Sequence, residues 1–352
     1  MMDIKKKDIK EFLESEQSAL NTVRTLLLFG RNSATYKFAL CNALMKAKPS
    51  SELVASDLTE DFINEFISHY KNNPHQFNNG STSLTKSIDQ YLSSSKSHSD
   101  WSDLIDKAEK VIYLNVIDRF QNVGGGEIEK NYMLYEPLGT NNDKASRKLI
   151  LTDNILQILE NDVLKKKVLD ESHSRWQVVE EAWRAGVNPN TLEYDKQNEI
   201  FYSNCRNQRI GLRSAVDVLS PYQKGKCFYC GRQLDKEGGS QSPSFPDVDH
   251  VFPLEMLVKL NIINPNGIWN LVIACMKCNR GADGKFMTPP CIEYFEKLLK
   301  RNVLFVEEHN HSLRNSILLS LNARNKAAVT ERMKAIFKHF DFIKGWKPVE
   351  RF

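Results

Sequence analysis

Cys227 and Cys230 form one C-x2-C pair, Cys275 and Cys278 form another, and the run DVDHVFP lies between them. At this spacing both thiolates of a pair reach one ion from a tight turn, so two pairs complete a closed tetrahedral zinc site. Four thiolates leave no open position for water, so that zinc is expected to build structure. Catalysis would fall to the residues beside it. His250 has the residue type of a general base, since an imidazole of unperturbed pKa ~6.5 is largely neutral at physiological pH. Asp249 and Asn279 carry the hard oxygen donors that magnesium or manganese prefers. Asn270 is suited to orienting the imidazole or fixing its loop. A base, a cation and a rigid frame are what hydrolysis of a phosphodiester needs.

These residues must be held by short elements. DVDHVFP alternates as a strand with Asp247 and Asp249 on one side, and Pro253 ends it. LEMLVKLN reads as a loop or short helix, LVIAC after Asn270 as the second strand, and Asn279 as the start of a terminal helix. The expected unit is ββα, with zinc pinning its ends and one catalytic ion at its centre.

The order C-x2-C, DVDHVFP, N-L-V-x-A-C-x2-C-N-R-G resembles the HNH endonuclease family, over roughly residues 221–290 of 352. The resemblance implies His250 as general base, Asp249 and Asn279 as ligands of the catalytic ion, Asn270 as support for the histidine, and a structural zinc on the cysteines. Many members carry a lysine three residues after the last asparagine. Here Ala282 stands there, and Lys285 is the candidate to contact phosphate from a shifted position. Lys277 and Arg280 flank Asn279 and are further candidates for nucleic-acid contact. Arg206, Arg209 and Arg213 read as a cluster at helical spacing that either clamps backbone phosphate or forms a solvated helix face. His309 and His311 suggest a metal tract at first sight and read more simply as a polar turn between helices.

The rest of the chain reads as helix. The formal charge of +4 permits nucleic-acid binding without demanding it, and with 26% charged and 41% hydrophobic residues the chain falls outside the disordered regime. Residues 1–220 are expected to form a mainly α recognition or regulatory region, 221–290 the zinc-containing ββα-metal nuclease domain, and 291–352 a helical extension packed on it. Within the first region, 4–72 reads as helices with a break at Gly30. Ser33 is a candidate cap for the helix through TYKFALCNALMKA, and Asp57 or Thr59 for the next. The serine-rich stretch 72–100 reads as a long loop, KNYMLYEPLG as a short strand, and YSNCRNQRIGLRSAVDVL as helical, with a boundary near Leu219-Ser220-Pro221. Seven cysteines, four of them in metal-type pairs, argue for a reducing, cytoplasmic setting, and no apolar run spans a membrane. The expected activity is cleavage of DNA, with RNA the lesser candidate substrate. One ββα-metal site cuts one strand per engagement, so a homodimer or a partner protein is the expected route to a double-strand break. Fusion of such a unit to an unrelated helical region suggests anti-phage defence or restriction, by analogy alone. The competing readings are a non-catalytic zinc-stabilised module that binds nucleic acid or protein, and a ribonuclease toxin.

Overall fold

The structure, a computed structural model, describes residues 10–14, 18–30, 34–74, 76–77, 82–123, 126–140, 143–184, 191–195, 200–205, 208–260, 264–307, 313–340 and 345–352. For 140, 143–145, 181–184, 191–195, 200–205, 208–214 and 315 it describes the backbone only. The chain is mainly α-helical and divides into two compact units, Met1–Arg184 and Ala185–Phe352.

The first unit contains α1 (Ala19–Phe29), α2 (Tyr36–Lys46), β1 (Glu52–Val54), α3 (Ala55–Asn72), α4 (Ser83–Ser93), α5 (His98–Ile112), β2 (Asn122–Val123), β3 (Gly126–Glu127), β4 (Tyr135–Thr140), β5 (Asp143–Leu151), α6 (Asp153–Leu159) and α7 (Asp162–Arg184). Helices α1, α2, α3 and α7 bury Leu26, Phe38, Leu44, Phe62, Phe66 and Trp176 in one core. A buried bidentate ion pair ties α1 to α7: Arg24 Nε donates to Glu171 Oε2 at 2.8 Å and its guanidinium to Oε1 at 2.5 Å. β1, β5 and β4 form an antiparallel sheet, so the strand expected in KNYMLYEPLG is present as β4. Leu149–Leu151 completes β5, and α6 starts at Asp153.

The serine-rich stretch is largely helix, against expectation. Its polar residues act as helix starts: Thr82 with Thr85, and Ser97 with Asp100, form reciprocal capping boxes, while Leu84 and Ile88, one turn apart, are buried. Helix α3 starts at Ala55, which places Asp57 in its first turn and lets the Thr59 hydroxyl donate to Ala55 O at 2.8 Å, so neither is the cap. Thr35 precedes α2, and Ser33 lies outside the described residues.

The second unit contains β6 (Thr191–Asp195), β7 (Ile200–Cys205), β8 (Gln208–Ser214), α8 (Ala215–Leu219), β9 (Pro246–His250), α9 (Leu254–Lys259), β10 (Leu271–Cys275), α10 (Met276–Arg280), α11 (Ile292–Glu307), α12 (Arg314–Ser320) and α13 (Lys326–Lys338). β6, β7 and β8 form an antiparallel meander, which corrects the helical reading of this segment. The arginines suggested a helical period, but runs such as IFYSNC fit a strand, whose side chains alternate. The division at Arg184/Ala185 lies upstream of the expected boundary, so this sheet and α8 belong with the cysteine-rich region.

β9 pairs antiparallel with β10, with His250 opposite Leu271 and Pro246 opposite Cys275, and α10 follows directly. The C-terminal helices pack on this ββα unit. Arg301 of α11 donates to Leu271 O (2.6 Å) and Ile268 O (2.9 Å), and Asn302 donates to Trp269 O (2.7 Å). Phe252 packs against Phe295 and Phe340. The ββα unit thus borrows a hydrophobic core that its own short strands cannot supply.

Candidate metal centre and the adjoining polar site

A turn, a strand end and a helix bring the four cysteines together. Cys227 N donates to Arg232 O (2.8 Å) and Gly231 N to Cys227 O (3.1 Å), which curls the first pair into a knuckle. Gly231 has φ +79°, and a Cβ there would sit 2.6 Å from Phe352 O, so this turn needs glycine on both counts. Phe228 N donates to Ile273 O (2.9 Å), fastening the knuckle to β10, whose last residue is Cys275. Cys278 sits on α10. All four sulfurs are buried and lie within 4.8 Å of one another. Cys230 and Cys275 are 3.7 Å apart, close to the edge of ~3.8 Å that a tetrahedron with Zn–S bonds of ~2.3 Å requires.

The electrostatics ask for a cation. Hydrogen bonds from the other sulfurs, led by Cys227, pull the Cys230 thiol far below its ordinary range, while the same neighbours hold Cys278 far above it. Four sulfurs this close cannot all ionise unless positive charge lies among them. The donor set fits structural zinc.

The candidate catalytic residues form a second centre. Asn270, fully buried at the end of the short turn Ile268–Asn270 just before β10, clasps the chain that leaves β9. Its Oδ1 accepts from Phe252 N (2.8 Å), and its Nδ2 donates to Phe252 O (3.0 Å) and Pro265 O (3.4 Å). Val251 N donates to Asn270 O (2.9 Å), so His250 is followed by a rigidly held turn. His250 is half-buried, with Nε2 2.9 Å from Asn266 Oδ1. An amide oxygen only accepts, so in this contact Nε2 is the donating nitrogen.

Asp249 is buried, and both its oxygens are engaged: Tyr229 Oη donates to Oδ2 at 2.5 Å, and Lys285 Nζ lies 3.2 Å from Oδ1. Burial raises the Asp249 pKa against the pull of Lys285, and burial lowers that of Lys285 against the pull of Asp249. Desolvation outweighs attraction for both partners. Asn279 lies in the last turn of α10 rather than at a helix start, and its Nδ2 donates to Asp247 Oδ2 (3.2 Å). Arg280 Nε donates to the same oxygen (2.8 Å), so Asp247 ties β9 to α10. In oxygen chemistry Asp249 and Asn279 suit a hard divalent ion, and each oxygen of Asp249 already has a protein partner.

The other predicted contacts disperse. Lys285 is fully buried, which corrects its expected role: its ammonium faces Asp249 and offers nothing to a phosphate. Lys277 is exposed and paired with Glu350 at 2.9 Å. Arg209 and Arg213 lie on strand β8, not on a helix face, while Arg206, His309 and His311 lie outside the described residues. Sequence reasoning missed Tyr229 and Asn266. The first was hidden between two cysteines, and the second in a Pro-Asn-Gly turn whose composition signals only a bend. No described helix is long and apolar enough to cross a membrane. Comparison with protein-family models, curated proteins and solved structures found no match.

Proposed function

We propose that the second unit is an HNH-type endonuclease that hydrolyses phosphodiester bonds in DNA. One observation carries the reading: a histidine whose Nε2 is held by Asn266, at the end of a strand, in the same ββα unit as a four-cysteine cluster. His250 Nδ1 takes a proton from water, the resulting hydroxide attacks phosphorus, and the bond from phosphorus to the leaving oxygen breaks. Asn270 fixes the chain after His250, and Asn266 fixes the ring, so the base is preorganised. Asp249 and Asn279 would hold magnesium or manganese, which neutralises charge on the phosphate and leaving oxygen when bound. Lys277 and Arg280 are exposed and ion-paired, and incoming phosphates would take the place of Glu350 and Asp247 as their partners.

A non-catalytic reading, a zinc-stabilised module that binds nucleic acid or protein, is favoured by the engagement of both Asp249 oxygens. Supercoiled plasmid incubated with magnesium or manganese separates the two. The nuclease reading expects nicked circles from the wild type and loss of nicking in His250→Ala. No nicking by the wild type, or equal nicking by the variant, removes it. Single-stranded RNA in parallel reactions tests the ribonuclease alternative.

A further inference from the structure

Lys285 is among the largest fully buried side chains of the described residues, and it is a lysine. Such burial is costly unless the charge is paired. The loop after α10 is built to impose it. Gly281 N donates to Met276 O (3.0 Å), Gly284 N to Gly281 O (2.8 Å), Lys285 N to Cys278 O (2.7 Å) and Phe286 N to Asn279 O (3.0 Å). The chain therefore hooks back over the helix end. A Cβ on Gly284 would lie 2.9 Å from Gly281 backbone atoms, so the hook closes only with glycine. Phe286 is held at φ +48°, a conformation that an aromatic residue rarely adopts, and its carbonyl accepts from Lys285 Nζ at 3.2 Å. Trp346 Nε1 donates to Asp283 O (2.9 Å) and pins the outside of the hook. These contacts aim one ammonium at one carboxylate oxygen.

We propose that Lys285 is the resident cation of Asp249, and that a divalent ion gains this carboxylate only by displacing it. The inference rests on the reading of the ββα unit as a cation-dependent nuclease. One carboxylate in a buried site cannot neutralise an ammonium and a dication together, and Tyr229 already holds the other oxygen. Lys285 thereby keeps the site shut until a cation, with or without bound phosphate, outcompetes it.

Manganese binding to the zinc-loaded full chain, read from the electron paramagnetic resonance of the free ion, tests this directly. Lys285→Met is expected to bind at least tenfold tighter than the wild type, Lys285→Arg like the wild type, and Asp249→Asn to lose the site. Equal or weaker binding by Lys285→Met, with Asp249→Asn still losing it, overturns the competition and leaves the cation site standing. Manganese bound by no variant overturns the nuclease reading and the proposal together. Amine labelling of the wild type, followed by peptide mass spectrometry, needs no variant to fold. Lys285 should be protected without manganese and labelled with it, and continued protection at saturating manganese refutes displacement.

Discussion

The Asn270 clasp yields the sharpest energetic expectation. Asn270→Ala removes the acceptor for Phe252 N and the donor to Phe252 O, at 2.8 and 3.0 Å, in a position with no exposed surface. Phe252 is itself 2% exposed, so water does not readily replace either partner. Leaving a buried donor or acceptor unpaired costs about 1–3 kcal/mol each, so the pair is worth roughly 2–6 kcal/mol. The third contact, at 3.4 Å to Pro265 O, is long and adds little. Because the chain has two units, a single melting curve would mix their transitions. Native-state hydrogen exchange on peptides from β9 and β10, with zinc saturating, reads the second unit alone. At 1.4 kcal/mol per factor of ten, exchange should quicken by roughly 30-fold to about 20,000-fold. Acceleration below about fivefold would mean that the clasp is ornamental and that the turn after His250 is held by something else.

Other expectations concern zinc, charge and pH. Elemental analysis should find one zinc per chain, and its chelation should abolish exchange protection in β9, β10 and α10 while leaving α2 and α3 unchanged, since the thiolates close the ββα unit alone. Lys277→Ala should lower the slope of log affinity for DNA against log salt by about one, uniformly across sequences; an unchanged slope removes Lys277 from the interface. In the first unit, burial pushes the Lys37 pKa down to about 7 from an ordinary lysine value. The unfolded chain then binds more protons between those values, so stability rises with pH above 7, by about 1 kcal/mol from pH 7 to 8. Lys37→Met should remove that increment from the exchange of α1 and α2, and a pH dependence identical to the wild type would refute the shift.

The four-cysteine cluster and both strands of the ββα unit were legible because their determinants are local: C-x2-C pairs, a period-two run ended by Pro253, and an apolar run ended by Cys275. The residues that close the second centre were not. Tyr229 and Lys285 meet Asp249 from 20 residues before and 36 after, through a knuckle and a hook that no short-range pattern encodes. Lys285 illustrates the limit: a lysine near a phosphodiesterase-like motif reads as a phosphate contact, and only the fold turns it inward. The meander β6–β8 was obscured by arginines at three- and four-residue spacing, which imitate a helix face. In the stretch 72–100, serines that read as loop act as helix caps, because a hydroxyl terminates a helix as readily as it solvates a turn.

The claim that His250 performs the chemistry is tested most directly by chemical rescue. His250→Gly, with zinc retained, should nick supercoiled plasmid at least a hundredfold more slowly than the wild type, and added imidazole should restore a substantial part of the rate in a concentration-dependent manner. Undiminished nicking by His250→Gly would contradict the assignment of the base, and absence of nicking by the wild type under every divalent cation tried would contradict the function.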